Sequence, residues 1–399
     1  MLNFLQDGTI IRAFLEEAGI MSDEYTEVTT QGYFSRLGGS IIGMLVGFLF
    51  LPAAVILLYW NEGRAVDAIV GLEAAAKQVV EIGAGTLDAA ADGKLVHLSG
   101  DLSTTSPAKD PVFGVTAPGL IRLKRDVEMY QWREDTHSET HENVGGSKTT
   151  ETTYTYTKVW DSTPIGSGAF HHPEGHGNPQ MAVSPATFDA SDVKLGAYRL
   201  GPTILSEVSK FDALDPGSAA PPGGYRRDGA GLYRGNDPGN PAVGDLKVHF
   251  EAVQPQTYSV VAALTAGTLG EFRGARDYPI AFAAPGDVSA AQQFKTKASE
   301  ESTWTWILRG VGFAIMLVGF LLIARPLSMV LAILPFIEGI AQAGAFLVAL
   351  ILTIPLTLIV IALAWIAHRP LIGGVLIVAA IGSLILFQRM RPRRLAPAK

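Results

Sequence analysis

Twenty consecutive residues without a charge, Ile41 to Trp60 (IIGMLVGFLFLPAAVILLYW), leave this chain few ways to fold. At about 1.5 Å per residue, a helix of that length matches the hydrocarbon core of a bilayer. A second and larger apolar block runs from 307 to 387, and the stretch between them is polar and rich in Gly and Pro. This distribution excludes a plain soluble enzyme and a chain wholly embedded in lipid. It predicts an α+β membrane protein: four transmembrane helices plus one large β-rich extracytoplasmic domain, periplasmic or lumenal. The first apolar run does not read as a cleavable signal, because forty residues of net charge −4 precede it and no small-residue cleavage site follows. The 399 residues include no Cys, so no disulfide framework and no thiolate metal or redox site is expected.

Charge and hydropathy divide the chain further. Residues 1–40 read as a cytoplasmic acidic arm, with a short amphipathic helix around Thr9 to Ala18. The first span is 41–60, anchored at the interface by Tyr59 and Trp60. The domain occupies 61–305. Spans follow at 306–324, 344–367 and 371–387, with Trp304 and Trp306 opening the second and a tight AHRP turn joining the last two. The segment 325–343 is apolar but interrupted by Pro335 and Glu338, and reads as interfacial or re-entrant. Five bases in 388–399 mark a cytoplasmic tail. An even number of spans then puts both termini inside and 61–305 outside. Pro52 and Pro355 are expected to kink their spans. The stretch between the two blocks carries net charge −10 and has no basic stripe, so nucleic acid is excluded as a partner.

Periodicity fills in the domain. Ala65, Ile69, Leu72, Ala76 and Val79 recur at helical spacing and predict an amphipathic helix leaving the membrane, ending near Val80. GKLVHLSGDL alternates as a strand with His97 on its polar face. Gly119 to Glu139 and Glu151 to Trp160 alternate around a polar tip with Gly145 and Gly146, a long β-hairpin signal. Gly244 to Thr265 predicts two strands with a Gln-Pro break, and the Gly/Pro-rich stretches 214–224 and 235–244 are loops.

Few residues suggest chemistry. Gly39, Gly43 and Gly47 repeat every four residues and predict a helix-packing groove, its partner helix in the same chain or in another copy. Trp60, Asn61, Glu62, Gly63 and Arg64 form a membrane-exit motif that reads as a structural collar. HHPEGH places His171, His172, Glu174 and His176 within six residues. The set matches no standard zinc spacing and reads as a solvated loop, so no metal is predicted. His137 and His141 fall on a strand and its tip, where that spacing does not converge. Ser106 and Lys109 match Ser-x-x-Lys, but the partner motifs of the penicillin-recognising enzymes are missing, so no catalytic residue is assigned. Glu338 reads as an acid on the surface of an interfacial helix. No cofactor motif is present.

EVTTQGYFSRLGGSIIGMLVG leading into WNEGRAV, followed by GKLVHLSG, DPVFGV, VEMYQWRE, VGDLKVHF and AWIAHRPL, resembles the transmembrane protein 43 (LUMA) family over Glu27 to about Leu371. The resemblance implies four spans and a large lumenal or periplasmic domain. For animal relatives it implies the endoplasmic reticulum and inner nuclear membrane, nuclear envelope organisation with lamin and emerin partners, and self-association. It supplies no catalytic residue. The Ala/Gly-rich, Cys-free composition suggests a bacterial member, located in the inner membrane with its domain in the periplasm. The function expected is a non-catalytic membrane scaffold, a homo-oligomer that also contacts lipid and other membrane proteins. The alternatives are a periplasmic metal-binding or enzymatic module built on 171–176, or a channel or transporter.

Overall fold

The computed structural model describes residues 23–143, 147–217, 221–331 and 335–369. Four α-helices lie in that range: α1 (Tyr33–Gln78), α2 (Pro202–Glu207), α3 (Ala290–Leu331) and α4 (Pro335–His368). The span and the amphipathic helix read separately from the sequence are one helix. Its 46 residues extend about 69 Å at the usual rise. Nothing between Trp60 and Ala65 breaks it, because the polar turn there finds partners on other helices. The helix stops where Val79 turns extended while its N–H still donates to the Ala75 carbonyl at 3.0 Å.

Among the described residues three helices are long and apolar enough to cross a membrane: α1, the 290–328 part of α3, and the 342–368 part of α4. The fourth expected span (371–387), the tail, the hairpin tip at Gly145 and Gly146, and the short helix at 9–18 lie outside the described residues. α3 continues to Leu331 through Pro326, and α4 starts on Pro335, a residue whose fixed φ and missing N–H suit a helix start. Pro52 and Pro355 lie inside α1 and α4.

α1 and α3 pair antiparallel through small residues. A Cβ at Gly312 would come within 2.6 Å of Leu58 Cδ2, and one at Gly319 within 3.0 Å of Leu51 Cδ2. Leu58, Ala54, Met316 and Val360 form the buried centre of this three-helix bundle. The outward faces stay apolar: Ile42, Leu49 and Ile56 on α1 and Ile351 on α4 are each at least 65% exposed, as lipid-facing positions must be.

The domain is built on two main sheets. The first orders β1 (Asp23–Gln31), β5 (Lys148–Asp161), β4 (Arg122–Glu142), β12 (Leu246–Val253), β11 (Gly231–Arg234) and β10 (Tyr225–Asp228), with β6 (Ala186–Asp189) on β4 and β9 (Asp212–Leu214) on β12. The second orders β17 (Phe282–Pro285), β13 (Thr257–Thr265), β14 (Thr268–Gly270), β8 (Tyr198–Leu200), β7 (Lys194–Leu195), β3 (Leu95–Ser103) and β2 (Val80–Glu81), with β13 also pairing β3. β15 (Phe272–Arg273) and β16 (Pro279–Ile280) form a small ribbon. Alternating apolar residues of both sheets, such as Val96, Leu98, Val127, Met129, Val248, Phe250 and Val260, make the main core. A second cluster joins domain to helices, with Leu72 and Ala75 of α1 and Ala290 and Phe294 of α3 packing on Leu95, Val261 and Phe282. Inside the core, Asp110 is fully buried against Arg125 (2.7 Å), whose guanidinium lies 5.5 Å from the Phe113 ring centre and 5.4 Å from that of Phe188.

The N-terminal arm is where the structure departs furthest from the sequence reading. Asp23–Gln31, expected as part of an arm apart from the domain, pairs with β5 from Asp23↔Tyr156 to Gln31↔Lys148. The β4–β5 hairpin leaves the domain beyond Met129↔Asp161 and pairs out to Glu142↔Lys148. Gln31 lies at the start of α1, about 43 Å along the helix from Glu62 by residue rise. The ten residues of β4 beyond Trp132 extend a similar distance, about 33 Å. Alternation read the hairpin but could not reveal a third strand, because β1 is exposed along its whole length and carries no apolar periodicity. Val28 pairs with Glu151. Since the chain has no native Cys, Val28→Cys with Glu151→Cys should crosslink under mild oxidation of isolated membranes. Failure to crosslink, with Val28→Cys and Glu151→Cys each labelled freely, would show β1 apart from the hairpin.

Candidate functional site at the membrane boundary

The polar residues nearest the lipid converge on one level of the helix bundle. Glu62 of α1 is fully buried. Arg309 of α3 donates to it through Nε (2.6 Å) and Nη2 (2.8 Å), and Trp365 of α4 donates its indole N–H to Oε2 at 2.7 Å. One carboxylate therefore ties three helices. The two-pronged guanidinium contact suits a buried pair because both carboxylate oxygens are satisfied by aligned donors. The Arg309 guanidinium also lies 4.7 Å from the Trp306 ring centre.

One turn further the pairing continues. Asn61 Nδ2 donates to the Thr305 carbonyl at 3.1 Å. Arg64 donates to Glu301 and to Thr305 Oγ1 (3.2 Å). Glu301 also accepts from the Tyr278 hydroxyl at 2.8 Å. Burial, and then that hydrogen bond, push the Tyr278 phenol well above its ordinary value. Gly63 faces α4: a Cβ there would lie 2.8 Å from His368 Cε1, so only glycine lets the imidazole sit this close. That ring also rests 5.1 Å from Tyr59. Trp60 points away and is 55% exposed.

The structure thus brings Asn61, Glu62, Gly63 and Arg64 together with Glu301, Thr305, Arg309, Trp365 and His368. The sequence reading missed all of this second group. A signal was present: Arg309 is a lone charge at the start of an apolar block, and a charge there needs a partner.

The three candidate glycines separate. Gly47 touches α3 of the same chain, where a Cβ would meet the Gly319 oxygen at 2.6 Å, and Gly43 lies 3.6 Å by the same measure from Leu322 Cδ2. Gly39 has open space around it.

The histidine loop is packed rather than solvated. His171 stacks on Tyr154, His172 on Tyr25 and His176 on Tyr156, at centroid distances of 4.0, 4.2 and 4.0 Å. His176 is buried, contacting Asp23 Oδ2 (2.9 Å) through Nε2 and the His172 carbonyl (2.8 Å) through Nδ1. Each imidazole is held by its own tyrosine, and among the described residues no three His, Asp or Glu side chains converge as metal ligands. Glu174 belongs to no such set. Glu134 accepts from the Tyr156 hydroxyl and from the His171 N–H (2.6 Å). Burial alone would raise the Glu134 carboxyl, but these hydrogen bonds outweigh it and hold it below its ordinary value. Burial, with the Glu134 contact second, pushes the Tyr156 phenol up to about 12. His137 and His141 lie exposed on the outer part of β4. Ser106 spends its backbone N–H on Asp192 (3.0 Å), as part of a loop that this carboxylate holds together.

Comparison with known proteins gives a consistent result. The sequence profile described as Transmembrane protein 43 matches residues 129–370. Transmembrane protein 43 of Mus musculus is 30% identical over 394 residues, covering 94% of this chain and 96% of that protein. The Homo sapiens protein of the same name is 30% identical over 366 residues (87% and 90%). The Transmembrane protein 43 homolog of Drosophila melanogaster is 29% identical over 353 residues (86% and 94%). No solved structure matches the chain. The matched region includes Glu301, Arg309, Trp365 and His368, the half of the boundary cluster contributed by α3 and α4.

Two outcomes are expected. Glu62→Ala leaves the partly buried Arg309 without its carboxylate, and should destabilise the bundle by up to about 3 kcal/mol, read as a lower melting temperature in detergent. Replacing both with apolar residues (Glu62→Leu with Arg309→Met) should recover much of that loss. The second concerns the loop. A phenol whose value is raised on folding stabilises the fold below its ordinary value near 10 and loses that contribution as pH rises through about 12. Tyr156→Phe should therefore flatten the fall in melting temperature between about pH 10 and 12. An unchanged alkaline slope in Tyr156→Phe would exclude this phenol as its source.

Proposed function

The chain belongs to the transmembrane protein 43 family, and from that premise we propose that it is a non-catalytic integral membrane scaffold. The carrying observation is mechanical. α1 runs without a break from the lipid-facing bundle into the domain core, and the Glu62–Arg309–Trp365 junction fixes it to both other helices just below the domain. A helix held this way transmits position and orientation from membrane to domain. Glu62, Arg309 and the Trp365 indole are spent on these contacts.

The location proposed is a bacterial inner membrane with the domain in the periplasm, on the charge of the tail; the pairing of β1, which ties the N-terminal end of α1 to the domain's own hairpin, counts against it. α3 leaves the domain and α4 returns to the same level, and the five bases of 388–399 favour the cytoplasmic face for the tail. Self-association belongs to this reading. The Gly43–Gly47 surface is occupied by the chain's own α3, so copies would meet through the outward apolar faces or through the domain. The metal-binding alternative loses its main support, because the three imidazoles are dispersed over three tyrosines. The channel alternative has little in its favour: Thr353 and Thr357, buried in α4, donate to the Ala349 carbonyl (2.7 Å) and to Met316 Sδ (3.5 Å) and line no polar path.

Orientation and assembly can be read from one preparation. Ala242→Cys in the domain should react with an impermeant thiol reagent on intact spheroplasts, and Ala398→Cys only after lysis. Light scattering of the mildly solubilised full chain should give a protein mass above one copy. Reaction at Ala398→Cys alone would reverse the orientation, and a single-copy mass would remove self-association.

A further inference from the structure

A cavity of about 420 Å³ lies on the outer side of the boundary cluster. Val55, Ile56, Tyr59 and Trp60 form its wall, and Gly63, Arg64 and Asp67 continue it up the same face of α1, closed on one side by His368 of α4. These α1 positions are one helix face over about three turns, so the groove is about 18 Å tall and runs along the bundle axis. It is apolar below and charged above. It opens toward lipid, since Ile56 is 68% exposed and Tyr59 43%.

The upper end carries donors without acceptors. Arg64 spends Nη1 on Glu301 and Nη2 on Asn61 and Thr305, while its Nε has no hydrogen-bond partner. His368 Nε2 also has none. Both nitrogens belong to residues that line the groove. The acids nearby are already paired: Asp67 with Arg276 (3.4 Å), Glu301 with Arg64 and Glu62 with Arg309. Arg369, with its guanidinium 5.4 Å from the Trp365 ring centre, adds a positive charge next to His368.

We propose that this groove binds one anionic phospholipid, with an acyl chain along Val55, Ile56 and Tyr59 and the phosphate at Arg64 and His368. The division of the groove into an apolar half at bilayer depth and an upper end with unpaired nitrogens at the interface, next to the Arg369 guanidinium, is the division of such a lipid. A free anion would gain nothing from the apolar half, and a neutral apolar ligand nothing from the unpaired donors. Interfacial basic pockets between helices recognise anionic headgroups by this combination.

The test uses delipidated full-length protein in detergent, observed by native mass spectrometry and thermal melting. The probes are phosphatidylglycerol, phosphatidylcholine with the same acyl chains, and inorganic phosphate. One equivalent of phosphatidylglycerol should stay bound and raise the melting temperature, as a ligand specific for the folded form must. Phosphatidylcholine should bind about tenfold more weakly, and inorganic phosphate should have no effect. Ile56→Trp fills the apolar half at an exposed position away from the polar contacts. It should keep the lipid-free melting temperature and lose retention of phosphatidylglycerol. Arg64→Lys keeps the charge but removes Nε, and should weaken phosphatidylglycerol toward the phosphatidylcholine level. Equal retention of the two lipids, or undiminished retention in Ile56→Trp, would overturn the proposal in favour of annular lipid. Stabilisation by inorganic phosphate to the same extent as by phosphatidylglycerol would overturn it in favour of a free-anion site.

Discussion

The pairing of Glu62 with Arg309, completed by the Trp365 indole, is the constraint on which the rest of the architecture depends. Carrying a carboxylate and a guanidinium out of water is expensive, and their attraction offsets this only when the geometry is good and the remaining lone pairs are filled. Here one carboxylate receives three aligned donors from two helices. The arrangement tolerates few alternatives. Sliding α3 by one turn would move Arg309 about 5.4 Å from its partner and leave two charges unpaired near the lipid. The pair thus sets the register of α1 against α3 and of both against α4, whatever its net contribution to stability.

The small residues follow from that register. With Glu62 opposite Arg309 in an antiparallel pair, Leu58 falls on Gly312 and Leu51 on Gly319, and each glycine makes room for a leucine. Lipid tails are as apolar as these side chains, so close packing and not the hydrophobic effect holds the helices below the boundary. Above it, water is present and the hydrophobic effect operates. There Leu72 and Ala75 bury against Leu95, Val261 and Phe282. α1 is held by a different force in each half, and the charged turn is where the two regimes meet.

The second organising feature is the aromatic seam that holds β1 and the 167–178 loop to the hairpin. Tyr25, Tyr154 and Tyr156 come from neighbouring strands, and each receives one imidazole of the loop. The contact between His176 and Asp23 ties the loop to the N-terminal strand across 153 residues of sequence. The histidines therefore act as a clasp between segments, which accounts for three of them lying so close in sequence without sharing a ligand.

Local physics made a good part of this legible in the sequence alone. The apolar runs at 41–60 and 307–387, the amphipathic continuation of the first span, the long hairpin and the two strands of 244–265 follow from hydropathy and periodicity, which act over neighbouring residues. The WNEGR motif was visible as a polar turn where polarity costs most. Its partners Arg309, Trp365 and His368 were not, because nothing local says which of several apolar helices will lie opposite, or in what register. The same applies to β1, whose run of Thr, acidic and other residues is exposed throughout and carries no burial pattern, and to the histidines, whose spacing suggested a loop in water. Sequence determined which apolar segments are long enough to enter lipid and which alternating segments form the inner strands, since those outcomes depend on each segment's own solvation. Tertiary structure decided which charge meets which, since a buried ion pair gains its energy from a partner hundreds of residues away, and only the packed helices bring that partner within hydrogen-bond distance.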